Sequence, residues 1–451
     1  MSTKRGDAGS DGSAGSAESA GSKDPAWTRR RFLGESLRRS RAIGAGVVLG
    51  PASVAFADGD SALLGTPVVA REAGPPHIRQ RRKLGRTGIE IPDISMGSFS
   101  LESDVDLVAH ALDRGITHFD TAESYADGRA EEVLGRALVG HRARITLTSK
   151  FSAGPERSAK EQMAVLERSL RRLRTDHIDV YLNHAVNDPA CLASPEWQAF
   201  VARAKREGKI RAAGMSGHAG RLAECLRHGL DAGLLDVILV AYNYAQQPSY
   251  RENVRQYLSG LSSAFDFVSP QPELPGLLAR ARAAGVGVMV MKTLRGARLN
   301  DMRPFEKSGR TFAQAAFRWV LSEPAVEGLV VSMTSPAMID EYVEASGSGP
   351  PDAEDLALLA RYEARHAATT CAIGCGDCAG ACPAGVPIAD VMRMRMYAAD
   401  YGLPTTAARE YARLDVDAAA CLGCSGAPCA GACSAGLAIA DWNRDTHRRL
   451  A

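Results

Sequence analysis

The sequence has almost no surplus charge: 54 Lys and Arg stand against 52 Asp and Glu, a formal net charge of +2 over 451 residues. A polyanion-binding chain needs a basic excess, so no nucleic-acid partner is expected. Long apolar runs are lacking too. The run AIGAGVVLGPASVAFA, residues 42–57, is too short to cross a bilayer comfortably. No G-x-G-x-x-G follows the first candidate strand, which weighs against a doubly wound open sheet. Cysteine is scarce through most of the chain: of ten, only Cys191 and Cys225 precede residue 371. These two read as ordinary buried thiols. The other eight form two tight groups, whereas a disulfide scaffold would spread them through the fold, so the pattern argues for metal.

What is there divides along the chain. Residues 7–24 are low-complexity Gly, Ser and Ala with some acids and cannot offset their own ordering entropy. Thr28-Arg29-Arg30-Arg31-Phe32-Leu33 resembles the bacterial twin-arginine export signal, and the apolar run after it ends in the small-residue pattern Ala55-Phe56-Ala57. The resemblance implies export of an already folded protein to the periplasm or another extracytoplasmic space, with no stable membrane span after cleavage. Glu35, Arg38, Arg39 and Arg41 depart from that signal. The alternative is a cytoplasmic protein with a chance arginine pair. The expected organisation is a disordered tail and signal over residues 1–57, a linker over 58–79, a main domain over 80–345, a linker and helix over 346–369, and a cysteine domain over 370–451.

Residues 80–345 alternate short β-branched runs with amphipathic stretches rich in Ala, Leu and Arg. After an opening hairpin, strands are expected at 93–98, 116–120, 143–150, 177–183, 210–216, 236–242, 285–292 and 328–333. Eight strand–helix units over this length are what an α/β fold of the (β/α)₈ TIM-barrel type requires. Residues 245–275 form a longer insertion after the sixth strand, where loops often cover an active site.

GITHFDTAESYADGRAEEVLG, residues 115–135, resembles the signature of the aldo-keto reductases, and Lys150 in TLTSK, His184 in DVYLNHA and the GKIRAAGMS segment continue the resemblance in the family's order. It implies a (β/α)₈ barrel that moves hydride between a nicotinamide, NADH or NADPH, and a small carbonyl or alcohol. In its terms Tyr125 is the general acid, Lys150 the ammonium that lowers the tyrosine pKa, Asp120 the partner of Lys150, and His184 the group that orients the carbonyl oxygen. All four fall at or just beyond candidate strand ends, which share one face of a barrel.

The cofactor positions implied by the family are less complete. Ser216 is present, but Gly217 stands where Asn is usual and Leu239 where Gln is expected. Tyr242 or Tyr244 would stack on the nicotinamide. Lys292, Thr293 and Leu294 resemble the loop that carries the pyrophosphate, and Met333, Thr334 and Glu341 lie in the nucleotide-binding loop and helix. Ser332 and Met338 replace residues that are often basic for a 2′-phosphate, so either the cofactor is NADH, or Arg295 or Arg298 supplies that charge, or nicotinamide binding is weak. His218 also sits near the mouth, either against substrate or solvated at a helix start.

The first cysteine group, Cys371, Cys375, Cys378 and Cys382, reads C-x₃-C-x₂-C-x₃-C-P, and the second, Cys421, Cys424, Cys429 and Cys433, reads C-x₂-C-x₄-C-x₃-C. Both resemble the ferredoxin pattern for two [4Fe–4S] clusters, in which the fourth cysteine serves the other cluster. That crossed pattern implies one cluster on Cys371, Cys375, Cys378 and Cys433, and another on Cys421, Cys424, Cys429 and Cys382. Zinc is the rival ligand, although it favours separated C-x-x-C pairs. Some aldo-keto reductase relatives carry such a C-terminal domain. The expectation is therefore an iron–sulfur oxidoreductase with electron transfer through two clusters, to a redox partner protein where one is used. The alternative is a non-enzymatic electron-transfer or subunit-binding protein whose barrel no longer binds nicotinamide.

Overall fold

The computed structural model describes residues 74–218, 221–244, 273–294, 302–366, 371, 377–400, 403–433 and 436–451. The expected loop over 245–275 lies almost wholly outside them, as do Cys375, Arg295, Arg298 and the twin-arginine segment.

The chain opens with an antiparallel hairpin, β1 (Arg81–Lys83) on β2 (Glu90–Pro92). The barrel strands follow: β3 (Ile94–Gly97), β4 (His118–Asp120), β5 (Thr146–Phe151), β6 (Ile178–Asn183), β7 (Ile210–Gly217), β8 (Val237–Ala241), β9 (Gly287–Met291) and β10 (Gly328–Ser332). They close as β10-β3-β4-β5-β6-β7-β8-β9, all neighbours parallel. The expected barrel is thus the observed one, and each expected strand overlaps an observed strand.

Strand periodicity sorts side chains into two layers. Val180, Leu182, Ala212, Val237, Leu239, Met289 and Val330 face inward and pack with Leu84, Ile89 and Ile91 of the hairpin segment. The hairpin therefore closes the barrel's N-terminal end, leaving the C-terminal end for chemistry. Alternate residues such as Tyr181, Ile238 and Val240 face the surrounding helices.

Around the barrel run α1 (Val105–Asp113), α2 (Arg129–Ala137), α3 (Ala159–Leu173), α4 (Pro195–Arg206), α5 (Leu222–Asp231), α6 (Leu274–Ala283), α7 (Phe312–Leu321) and α8 (Pro336–Val343). Their starts are written locally. Asp104 caps α1, and Ser158 with Glu161 and Thr311 with Gln314 make reciprocal capping boxes on α3 and α7.

The expected helix over 352–369 is α9 (Ala353–His366). It binds to the barrel's outside, with Tyr362 stacked on Phe312 at 4.0 Å and Asp355 paired with Arg318 at 2.9 Å. A smaller helical region follows: α10 (Ile388–Arg395), one π-helical turn (Met396–Asp400), α11 (Pro404–Tyr411) and α12 (Ile439–Leu450). Its core gathers Val386, Ile388, Val391, Met392, Tyr411 and Ile439 with Cys378 and Cys429. Residues 70–451 form one compact unit. Among the described residues no helix is long and apolar enough to cross a membrane.

Candidate active site

Three neighbouring strands deliver the central pair and its cap. Asp120 ends β4, and its register partner on β5 is Thr148. Lys150 lies two residues further along β5, so it points to the same side one step higher. Its Nζ donates to Asp120 Oδ1 at 2.6 Å and to the Thr121 carbonyl at 2.7 Å. Both side chains are buried. Burial pushes the Asp120 carboxyl up and the Lys150 ammonium down, and each partner's charge opposes that trend in the other.

Tyr125 occupies a single 3₁₀ turn, Tyr125–Gly128. Ala126, Asp127 and Gly128 all have positive φ, at 50°, 57° and 92°. A run of left-handed residues is costly and persists only where the surroundings hold it. Arg172 does so from α3: it donates to the Glu123 carbonyl at 3.1 Å and pairs with buried Glu131 at 3.3 Å. It lies so close to Gly128 that a Cβ there would fall 2.2 Å from its Cζ. The turn presents Tyr125 to Lys150, whose Nζ is 5.1 Å from the ring centroid, and to His184, whose ring centroid is 5.8 Å away.

His184 follows β6 directly. Its backbone N–H donates to Phe151 O at 2.9 Å. Burial first, then the cations Lys150 and Lys292, lower its pKa to about 3, so it is a neutral imidazole at neutral pH. One layer deeper, fully buried His118 meets Thr148 Oγ1 at 2.8 Å and is pushed down to about 4, chiefly by burial.

One electrostatic expectation is corrected. The Tyr125 hydroxyl is not made more acidic by its surroundings: its pKa is raised well above the usual tyrosine value. Burial is the main cause, followed by Asp120, Tyr397 and Glu410. The Lys150 ammonium that was expected to lower it is already neutralised by Asp120. Tyr125 is therefore a fully protonated donor.

The expected cofactor residues divide. Ser216 is buried and faces the mouth, where its Oγ accepts from Ala185 N at 3.1 Å and its carbonyl accepts from Val186 N at 2.8 Å. It thus holds the loop that carries His184. Gly217 has a packing reason to be glycine: a Cβ would come within 2.7 Å of Leu222 Cδ1 and 3.1 Å of Met215 Cε. Thr293 is buried, and its hydroxyl makes no hydrogen bond among the described residues. Lys292 and Leu294 flank it, and the Lys292 ammonium is pushed well down, by burial and then by Arg393. Thr334 is exposed beside buried Met333, and Glu341 accepts from Thr311 Oγ1 at 2.7 Å at the start of α7. Leu239 belongs to the barrel's inner core. The stacking expected of Tyr242 is corrected. Its parity on β8 turns it outward, where its ring centroid lies 5.3 Å from that of Trp319. Tyr244 packs with Phe312 and Tyr362. His218 is buried, not solvated.

Sequence reading missed several residues around this mouth. Phe99 lies edge-on to Tyr125 at 5.3 Å and Tyr397 lies 5.7 Å from Phe99. Neither stands in a motif, and they are some 300 residues apart in a chain of 451, so no local pattern could pair them.

A family model described as the aldo/keto reductase family matches residues 84–363. The chain belongs to the aldo/keto reductase family. L-glyceraldehyde 3-phosphate reductase of Escherichia coli K12 is 25% identical over 326 residues, covering 63% of this chain and 92% of that protein. The methylglyoxal reductase YeaE of the same organism is 35% identical over 138 residues, 28% of this chain and 46% of that protein. L-galactose dehydrogenase of Arabidopsis thaliana is 24% identical over 280 residues, 58% of this chain and 87% of that protein. A holo-form aldo-keto reductase from Bacillus halodurans aligns with 63% of this chain and 96% of its own at 21% identity, with a TM-score of 0.49. The protein is an oxidoreductase of a family that uses NAD(P)H. Both cysteine groups lie beyond the matched segment.

In the cysteine region, Cys382, Cys424 and Cys429 are close enough to Cys421 to raise its pKa further, after burial, and Cys382 and Cys424 act likewise on Cys429. These are the four residues of one crossed set. Asn443 is fully buried beside the Cys421 thiol and makes no other hydrogen bond among the described residues. Arg444 donates to the carbonyls of Cys421 and Cys424 at 2.9 and 2.6 Å. Cys433 Sγ accepts from Leu437 N at 3.4 Å. Cys371 and Cys378 belong to the same cluster of side chains. Among the described residues no group of three or more His, Cys, Asp or Glu side chains is closed around a metal position.

Proposed function

We propose that the barrel reduces a small carbonyl compound, or oxidises the matching alcohol, with Tyr125 as proton donor, His184 as carbonyl-orienting group and the Lys150–Asp120 pair as their electrostatic support. The observation that carries this reading is the buried 2.6 Å Lys150–Asp120 pair beneath Tyr125 and His184 at the barrel mouth. A bound nicotinamide supplies or accepts the hydride. Neutral His184 donates a ring N–H to the carbonyl oxygen without adding a charge. Tyr125, held protonated, gives its proton only to an oxygen that is becoming an alkoxide, which is the requirement of a general acid. The Lys150–Asp120 pair holds the base of the site beneath the Tyr125 ring, with Lys150 Nζ 5.1 Å from its centroid.

The residues present fit a nicotinamide cofactor in two places: the hydroxyl of Ser216 at the mouth, and the buried hydroxyl of Thr293 after β9, which has no partner among the described residues. With Ser332 and Met338 at the usual basic positions, the choice between NADH and NADPH falls to Arg295 and Arg298.

Cys382 keeps company with Cys421, Cys424 and Cys429, as one crossed [4Fe–4S] set requires, and Asn443 offers an amide to sulfur; the second set, Cys371, Cys375, Cys378 and Cys433, is proposed on spacing alone, Cys375 lying outside the described residues. Such clusters carry single electrons, whereas hydride carries two, so a partner redox protein fits this reading. Export of the folded protein by the twin-arginine route completes it.

The test is an anaerobic titration of cluster-loaded protein with NADH and NADPH, following nicotinamide fluorescence and cluster absorbance together. Saturable binding, with reduction of a small aldehyde that Tyr125→Phe abolishes, is the expected result. Absence of binding by either nucleotide would favour a barrel that serves electron transfer only. Iron and acid-labile sulfide near eight of each per chain are expected from the crossed arrangement, and zinc without sulfide would overturn it.

A further inference from the structure

The C-terminal helical region lies against the catalytic mouth, and its contacts fall on the loops that frame Tyr125. From α11, Thr406 Oγ1 meets Glu102 Oε1 at 3.4 Å and Arg409 stands 3.9 Å from the same carboxylate. Glu102 belongs to the loop after β3, which also carries Phe99. Just beyond α11, Arg413 donates to Asp127 Oδ1 at 2.9 Å. Asp127 is the second residue of the left-handed run that follows Tyr125. One short segment therefore grips both the Phe99 loop and the Tyr125 turn. A third approach is electrostatic, from Arg393 on α10 to Lys292 after β9.

Between these grips lies the π-helical turn Met396–Asp400. Single π turns are rare and often occur at functional sites, because the extra residue re-aims a side chain. Here the turn carries Tyr397, whose carbonyl accepts from Leu403 N at 2.9 Å. The half-buried ring packs on the cysteine region's core on one side and on Phe99 on the other, at 5.7 Å. Phe99 in turn stands 5.3 Å from Tyr125. Tyr397 is near enough to Tyr125 to act on its hydroxyl.

We propose that the cysteine region builds one wall of the carbonyl pocket and that Tyr397 is its specificity-determining residue. This rests on the reading of Tyr125 as proton donor. With Phe99 and Tyr397 as aromatic walls beside the hydroxyl, the pocket takes small or unbranched aldehydes and ketones. A bulky group on the carbonyl carbon meets the Tyr397 ring. The wall is an addition to the barrel, because residue 397 lies beyond the segment matched by the family model.

The test uses the full-length, cluster-loaded protein and the variants Tyr397→Phe, Tyr397→Leu and Tyr397→Ala. Two quantities are measured. One is the ratio of kcat/KM for 2-naphthaldehyde to that for propanal. The other is the rate at which N-acetylimidazole acetylates Tyr125, followed by peptide mass mapping with Tyr125→Phe as the blank. Tyr397→Ala and Tyr397→Leu are expected to raise the ratio tenfold or more and to speed Tyr125 labelling several-fold. Tyr397→Phe, which keeps the ring, should leave both within twofold. An unchanged size ratio in active enzyme overturns the proposal, and so does unchanged labelling of Tyr125. Faster labelling in a protein that reduces no aldehyde upholds the wall and overturns the proton-donor reading instead.

Discussion

The barrel mouth and the cysteine region handle their reactive groups in opposite ways. At the mouth, charge is buried and paired: Lys150 and Asp120 are almost inaccessible and bonded at 2.6 Å, with two histidines held neutral nearby. In the cysteine region Cys371, Cys382, Cys421, Cys424 and Cys433 are half-exposed on short turns, around a core far smaller than the barrel's. The first site is preorganised by the fold that surrounds it. The second has thiols on short segments, and the clusters proposed above would supply the rigidity that those segments lack. The difference teaches where each site's rigidity comes from, and the two should fail differently.

The largest expected effect tests the preorganised side. Tyr125→Phe removes one hydroxyl and keeps the ring against Phe99, so the fold should be unaffected. Loss of a positioned general acid costs roughly 10²–10⁴ in kcat. A fall of that size, with unchanged melting temperature and unchanged iron content, is the expected outcome. A loss below about tenfold would place the proton elsewhere.

Asp120→Ala comes next. It strands Lys150 in a buried site, and breaking a buried ion pair from one side costs about 3–5 kcal/mol. Loss of the Lys150 proton limits that cost, because burial already holds the ammonium's pKa down. Denaturant unfolding should show the loss in the barrel, whereas cluster absorbance under native conditions should not change. Equal destabilisation of both regions would break the contrast drawn above.

Acid should also discriminate. Unfolded, His118 takes up a proton near its ordinary pKa of 6.5; folded, it does so only near 4. Between these values the unfolded chain binds the extra proton, so stability falls as pH drops through that window. By linkage the loss reaches about 3 kcal/mol below pH 4. The difference in unfolding free energy between the wild type and His118→Gln, measured from pH 7 to 4, should carry that slope. His184 charges only near 3, so kcat/KM for a neutral aldehyde should show no step from this residue between pH 5 and 8.

These contrasts explain what could be read from the sequence. The barrel was legible because its strands repeat a two-residue alternation and its helices a longer one, each with its own caps at Asp104, Ser158 and Thr311. The central side chains were legible because strand ends of a barrel share one face. Two matters were not. The pKa of Tyr125 depends on burial and on electrostatic neighbours far away in sequence, Tyr397 and Glu410 among them. The failure of Tyr242 as a platform depends on strand parity, since one step along β8 exchanges inside for outside. A motif match alone does not fix that parity.

The smallest effect bears on how the two regions meet. Arg413 and Asp127 form a pair with both side chains substantially exposed, at 45% and 60%. Exposed pairs contribute roughly 0–1 kcal/mol, so Arg413→Ala should barely move global unfolding. Its expected signature is local. Asp127 follows Tyr125 in a left-handed run whose cost must be offset by neighbours, and Arg172 and Arg413 are two of them. Removing Arg413 should increase amide exchange at residues 125–128 several-fold and leave residues 146–151 unchanged. It should lower kcat more than it raises KM, because the proton donor and not the entrance is loosened. Arg172→Ala should have the larger effect of the two, since Arg172 holds the same turn from a more buried position. If exchange in that turn is indifferent to Arg413, the barrel alone sets the geometry of its proton donor.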